Sequence, residues 1–221
     1  MDAKFFTSRT AVLTGTNLSV LLMGALSFLA AGLDIWAGRD WLTQPSLLMP
    51  FLLAALGTAL AGYVTVPILK RLKAGQFIRE EGPKAHLKKA GMPSLGGICF
   101  VPVALLVAVV ASGGDANTLA VCALTLAYGF IGWLDDWQVL KHRSNRGISP
   151  RLKLALQIGF AIVFCAWAMA SQPVEVTNLA LPFGILLPLG GLFWPLAGFT
   201  MVAESNATNL TDGVDGLMGG T

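Results

Sequence analysis

Long apolar runs without a charged side chain are the feature that most constrains the fold of this chain. Several runs approach ~20 residues, the length at which a helix rising about 1.5 Å per residue crosses a hydrocarbon core of about 30 Å. Only 12% of the 221 residues are charged, about half the fraction typical of a soluble domain. The runs are unbroken rather than alternating, which favours helices over barrel strands. The sequence therefore predicts an all-α, polytopic integral membrane bundle.

Six candidate spans form one predicted membrane domain covering residues 1–221. They are 18–37, 47–69, 97–112, 117–134, 152–170 and 183–203. The first carries Asp34 near its end, where the carboxylate is expected to reach the interface, and the third is short. The sixth contains Pro188 and Pro195, which predict a kink because proline removes a backbone hydrogen bond.

The positions of Lys and Arg predict the orientation, because these residues are retained on the cytoplasmic side. With the N-terminus in the cytoplasm, nearly all of them fall in the inner segments 1–17, 70–96, 135–151 and 204–221. Lys153 lies at the boundary of a span, and only Arg39 falls on the outer side. The basic residues behind the net charge of +3 would then set the orientation and contact anionic headgroups or a phosphorylated substrate. We expect no nucleic-acid partner.

Three polar segments share this predicted inner face. The first, 77–97, surrounds His86, Lys89 and Ser94 with Gly and Pro. A basic loop that obeys the positive-inside rule would explain its charge. The density of Gly and Pro also suits a fixed backbone that presents cations and donors to a phosphate.

The second segment places Asp135 and Asp136 at the end of an apolar run. A solvated helix end is the simplest explanation, but ionisable residues at membrane depth are functional candidates. Because helix C-termini disfavour anions, we expect a compensating cation or metal. Mg²⁺ characteristically uses one or two carboxylates together with substrate phosphates.

The third segment spaces Asn206, Asn209, Asp212 and Asp215 three residues apart. On a helix these side chains would spread over roughly 180° of the surface, which suits one wall of a groove. A calcium-binding loop also uses spaced Asp and Asn, but the Glu at its twelfth position is missing here.

Taken in order, the motifs carry a specific resemblance. They are Glu-Gly-Pro-x-x-His-x-x-Lys-x-Gly-x-Pro-x-x-Gly-Gly, Gly-x-x-Asp-Asp and Asn-x-x-Asn-Leu-Thr-Asp-Gly-x-Asp-Gly-Leu. From about Lys70 to Thr221 the chain resembles the phospho-N-acetylmuramoyl-pentapeptide transferases, which belong to the polyprenyl-phosphate N-acetylhexosamine-1-phosphate transferases of the glycosyltransferase 4 type.

This resemblance implies an Mg²⁺-dependent enzyme of peptidoglycan synthesis. It would transfer phospho-N-acetylmuramoyl-pentapeptide from UDP-N-acetylmuramoyl-pentapeptide to undecaprenyl phosphate, forming lipid I and UMP. The implied location is the cytoplasmic face of a bacterial inner membrane, among membrane lipids. Homodimerisation is left open.

The resemblance also implies roles for the motif residues in the first two segments. Lys89 and Ser94, with His86 nearby, would line the phosphate or nucleotide region. Asp135 and Asp136 would bind or deprotonate the lipid phosphate, or assist the metal site. We favour direct attack by the lipid phosphate with Asp135 as the base, and a covalent enzyme intermediate is the alternative.

In the third segment, Asn206, Asn209, Asp212 and Asp215 would line the metal-diphosphate and uridine region. Asp212 and Asp215 are the expected metal ligands, and Asp212 is also a catalytic candidate. The family adds a further metal-binding Asp and a histidine-rich loop after the segment that corresponds to Thr221. The chain is therefore expected to be an N-terminal portion that is inactive or nearly so alone.

One loop position departs from the family pattern. Gly-Met-Pro-Ser-Leu at 91–95 stands where the family usually has Gly-Thr-Pro-Thr-Met, so Ser94 keeps a hydroxyl and Met92 does not. Two alternative functions remain open. A UDP-N-acetylglucosamine:polyprenyl-phosphate N-acetylglucosamine-1-phosphate transferase would share the acidic motifs, and a secondary transporter would instead place acidic residues near the midplane between repeats.

Overall fold

Six α-helices make up most of the residues that the computed structural model describes, which are 15–39, 46–71, 96–142 and 147–211. The helices are α1 (Gly15–Trp36), α2 (Leu48–Arg71), α3 (Gly97–Ala111), α4 (Ala116–His142), α5 (Pro150–Ser171) and α6 (Phe193–Thr211). Four of them, α1, α2, α4 and α5, are long and apolar enough to cross a membrane. The prediction of an all-α, polytopic membrane protein is confirmed.

Two of the six predicted spans differ from the observed helices. The third corresponds to α3, which has 15 residues and so extends about 22 Å, less than the hydrocarbon thickness. The sixth, predicted at 183–203, is wrong at its start, because α6 begins only at Phe193 and continues to Thr211. The second half of α6 is polar, from Glu204 onward.

The chain before α6 forms a small hairpin instead of a helix. Strands β1 (Asn178–Ala180) and β2 (Leu186–Pro188) pair antiparallel, and Gly184 and Gly190 adopt positive φ angles that helices do not use. Pro195 is the third residue of α6, where a missing N–H breaks no helical hydrogen bond. The expected proline kink is therefore replaced by a break in the helix before Phe193.

Asp34 joins α1 to the start of α2. Its side chain is fully buried, and its carboxylate accepts hydrogen bonds from the backbone N–H groups of Leu47 at 2.9 Å and Leu48 at 3.0 Å. Arg39 forms an ion pair with the same carboxylate at 3.3 Å. Asp34 thus caps α2, where an anion is stabilised by the helix dipole.

Close packing between helices relies on small residues. At Gly57 of α2, a Cβ atom would lie 2.7 Å from Cγ1 of Val103 in α3, so only glycine allows this approach. On α5, Ala161 and Ala168 are among the buried residues. Small residues at helix contacts are typical of membrane bundles, whose helices gain little from the hydrophobic effect between them.

The outward surfaces of the bundle are apolar. Phe28 of α1 is 83% exposed and Tyr63 of α2 is 81% exposed, and many Leu and Val side chains are exposed beside them. In water such surfaces would be unfavourable, whereas a bilayer supplies an apolar solvent. The polar interactions described next therefore lie between helices or at their ends.

Candidate active site

Asp135 links α4 to the beginning of α5. Its Oδ1 atom accepts a hydrogen bond from the backbone N–H of Ile148 at 2.9 Å, two residues before α5 starts. Its Oδ2 atom lies 3.8 Å from Nζ of Lys153. The side chain of Asp135 is 32% exposed and that of Lys153 is 19% exposed, so the pair is partly shielded from solvent.

The local electrostatics differ from the prediction. Asp135 and Asp136 were expected at the C-terminus of their helix, but α4 continues to His142. Asp135 instead faces the N-terminal end of α5, where the dipole favours an anion. Lys153 lies in the first turns of α5, a location that disfavours a cation, and the Asp135 carboxylate offsets this. Lys153 is thus the cation that lies beside Asp135.

Three residues at the start of α5 and just before it hold this geometry. Ser149 caps the helix by accepting a hydrogen bond from the N–H of Leu152, and Pro150 occupies the first helical position, where its fixed φ is suited to a helix. Gly147 packs directly against the Asp135 carboxylate, because a Cβ atom there would overlap Oδ1 and lie 2.6 Å from Cγ. A larger residue at this point would force the Asp135 carboxylate or the segment to shift.

A second polar cluster lies between α4, α5 and α6, and we call it the Gln157 cluster. It consists of Tyr128, Gln157, Ser205 and Asn206. Gln157 is 1% exposed, and its backbone oxygen accepts a hydrogen bond from the Tyr128 hydroxyl at 2.9 Å. Its Nε2 atom donates to Oγ of Ser205 at 3.0 Å, and its Oε1 atom accepts from Nδ2 of Asn206 at 2.9 Å.

The two groups lie on one side of α5. Lys153 and Gln157 are four residues apart, so they project from the same face about 6 Å apart along the axis. Lys153 contacts Asp135 of α4, and Gln157 contacts Asn206 of α6. The carboxylate motif and the asparagine motif, 71 positions apart along the sequence, are thereby brought to neighbouring turns of one helix.

The structure describes four of the predicted site residues. Asp136 is partly buried on α4, and Asn209 is exposed on α6; Asp135 and Asn206 have the contacts given above. The other five lie outside the described residues, so their predicted roles stay predictions. They are His86, Lys89, Ser94, Asp212 and Asp215.

Sequence reasoning missed three residues that support the motif positions. Lys153 was interpreted only as a charge at a span boundary, and Gly147 and Gln157 were not singled out. Gln157 had a usable signal, since it is the one amide in the predicted span 152–170 and a buried polar side chain at membrane depth needs a partner. Gly147 had no such signal, because its importance depends on the distance to Asp135.

The donor groups are of the type that suits Mg²⁺, since carboxylate and amide oxygens are its preferred protein ligands. Among residues 15–39, 46–71, 96–142 and 147–211, however, no group of three or more His, Cys, Asp or Glu side chains is arranged to hold a metal ion. Asp212 and Asp215, the metal ligands predicted from the sequence, lie outside these residues.

Comparisons with known proteins agree with the motifs. A family model described as glycosyl transferase family 4 matches residues 118–221, the part that contains both clusters. This region of the chain is therefore similar to glycosyl transferase family 4.

The more particular similarity is to proteins named phospho-N-acetylmuramoyl-pentapeptide-transferase. The chain is 56% identical to the one from a Nostoc species over 222 aligned residues, covering 100% of this chain and 60% of that protein. The corresponding Nostoc punctiforme protein is 55% identical, with 100% and 61% covered. The one from Synechococcus elongatus is 53% identical, with 91% and 56% covered. The chain thus spans about 60% of the length of these curated relatives.

Proposed function

We propose that this chain carries part of the active site of a phospho-N-acetylmuramoyl-pentapeptide transferase. In the proposed reaction, UDP-N-acetylmuramoyl-pentapeptide donates its sugar phosphate to undecaprenyl phosphate, and the products are lipid I and UMP. The observation that supports this most is the meeting of the paired-carboxylate and asparagine motifs on one side of α5. Identity above 50% to proteins of that name, over most or all of the chain, supports the choice of substrates.

The proposed step exchanges one phosphorus–oxygen bond for another. An oxygen of undecaprenyl phosphate attacks the phosphorus that carries the sugar, and the bond from that phosphorus to the bridging oxygen breaks. UMP leaves with the bridging oxygen. In such reactions the protein contributes mainly by positioning the reactants and by neutralising charge.

Asp135 is the proposed acceptor of any proton on the attacking lipid phosphate. Its hydrogen bond from the Ile148 N–H fixes the carboxylate, and Lys153 beside it provides positive charge near the position of an anionic substrate. Lys89 and Ser94 are proposed to contact the diphosphate of the donor. These contacts would orient the two phosphates for in-line displacement.

Mg²⁺ is the proposed cofactor, and when bound it would neutralise charge on the diphosphate. Asp212 and Asp215 are its proposed protein ligands. Asn206 and Asn209 are proposed to line the same region toward the nucleotide.

The proposed active face is cytoplasmic, in the inner membrane of a bacterium. The Lys and Arg distribution supports this orientation, and a soluble nucleotide sugar is available on that side. A lipid phosphate and a soluble donor can meet only at a membrane surface, which is where the ends of α4 and α5 would lie.

Donor choice and acceptor dependence test this proposal. The protein, with any residues that its reading frame adds after Thr221, would be placed in lipid vesicles with undecaprenyl phosphate. We expect UMP release with UDP-N-acetylmuramoyl-pentapeptide and little with UDP-N-acetylglucosamine. Preference for UDP-N-acetylglucosamine would identify the related transferase instead, and UMP release without lipid acceptor would contradict the proposed reaction.

A further inference from the structure

We infer that Gln157 is a positioning residue that orients the side-chain amide of Asn206 so that its oxygen faces the substrate site. This inference rests on the proposed function, because it assigns a ligand to the asparagine motif. The ligand that it implies is either a hard cation such as Mg²⁺ or an N–H or O–H donor of the nucleotide.

Hydrogen bonds fix the orientation of both amides. Asn206 uses Nδ2 twice, donating to Gln157 Oε1 at 2.9 Å and to the backbone oxygen of Val202 at 2.8 Å. A flipped Asn206 amide would point an oxygen at the Val202 and Gln157 oxygens, which is repulsive. These bonds therefore leave Oδ1 as the atom of the Asn206 amide that can receive a ligand.

Gln157 is itself held in a single orientation. Its Nε2 atom donates to Ser205, and a flipped Gln157 amide would turn an N–H toward Nδ2 of Asn206. The Tyr128 hydroxyl holds the backbone at the same residue. Because Gln157 is 1% exposed, water cannot replace these partners, and unsatisfied groups here would be costly.

Two independent ligand probes test the inference without turnover. MgCl₂ alone and UMP alone, the latter with a chelator, would be titrated into the detergent-solubilised protein, and binding would be followed by calorimetry. In Gln157→Leu we expect affinity for one of the two probes to fall about 10- to 100-fold, the loss typical of removing a group that orients a ligating residue. Weaker Mg²⁺ binding would identify a cation ligand, and weaker UMP binding would identify a nucleotide contact.

A rescue variant separates positioning from packing. Gln157→Glu retains an oxygen that can accept from Asn206 Nδ2, so we expect it to recover much of the lost affinity. Tyr128→Phe removes the hydrogen bond to the Gln157 backbone and leaves both side-chain amides in place. We expect it to lower the unfolding temperature while ligand affinity is retained.

Gln172→Leu is the matched control. Gln172 lies just after α5 and donates a hydrogen bond to Asn117 of α4, at the opposite end of these helices from Asp135. We expect normal affinity for both probes in this variant. Unchanged affinity for both probes in folded Gln157→Leu would overturn the inference, as would an equal loss in Gln172→Leu. A wild-type protein that binds the probes but makes no lipid product would instead count against the proposed function.

Discussion

Gly147→Ala is expected to displace the Asp135 carboxylate without changing its chemical identity. The added Cβ atom would overlap Oδ1 of Asp135 and lie 2.6 Å from its Cγ. Since ordinary contacts of this kind begin near 3.4 Å, the two groups must separate by about 0.8 Å or more. The Ile148 N–H, which belongs to the residue after Gly147, would then lose its hydrogen bond to Asp135.

The magnitude follows from these contacts. A hydrogen bond to a charged group contributes about 1.5–3 kcal/mol, and the lower end applies because the Asp135 side chain is 32% exposed. At about 2–4 °C per kcal/mol for a chain of this size, the unfolding temperature should fall by a few degrees. Turnover should fall further, by about 100-fold, because a displacement of about 1 Å in a catalytic group has that effect.

The assay measures UMP release well below the unfolding temperature, together with a thermal melt of each variant. Gly159→Ala on α5 is the control, since a Cβ atom there would meet no atom within 4 Å, and it should retain wild-type turnover. Wild-type turnover and melting in Gly147→Ala would refute the reasoning, because Asp135 would then not depend on its fixed contact with this segment.

Three further perturbations have defined outcomes. Lys153→Met should lower turnover about tenfold or more, because it removes the cation beside Asp135. Lys153→Arg keeps a cation and should retain more activity. Equal UMP release by the two variants would contradict a role for the ion pair. Asp34→Asn should lower the unfolding temperature, because an amide NH₂ would face the N–H groups of Leu47 and Leu48. It should leave turnover per folded molecule unchanged. Asp115→Asn, at the exposed cap residue of α4, should lower the unfolding temperature less. Chelation by EDTA should abolish UMP release and added Mg²⁺ should restore it, whereas full turnover in EDTA would contradict a magnesium cofactor.

Helix positions were predictable where apolar length alone decides them. The runs that form α1, α2, α4 and α5 are long enough to cross a bilayer. A single segment in a bilayer can satisfy its backbone hydrogen bonds only by forming a helix. The start of α6 was not predictable from hydropathy, because the hairpin residues are as apolar as a span. Their turn conformation depends on positive φ angles at Gly184 and Gly190, which hydropathy does not encode.

In the candidate site, the motif residues were visible in the sequence, but the contacts that hold them were not. Asp135 and Asn206 were identified because their spacing matched a family motif and because polar residues are rare at such depth. Their supporting partners depend on which helices are neighbours and in what register. Gly147, Lys153 and Gln157 become significant only when α5 is seen to lie between the two motifs, and pairings over such distances are not visible in local patterns.

Product formation by the wild type and by Asp135→Asn tests the central proposal most directly. The protein, with any residues that follow Thr221 in its reading frame, would be supplied in vesicles with undecaprenyl phosphate, UDP-N-acetylmuramoyl-pentapeptide and Mg²⁺. UMP and the lipid-linked sugar would be measured in the same samples. We expect equal amounts of both products from the wild type and a loss of both in Asp135→Asn. Near-normal formation of both by Asp135→Asn, or UMP without a lipid-linked sugar from the wild type, would contradict it.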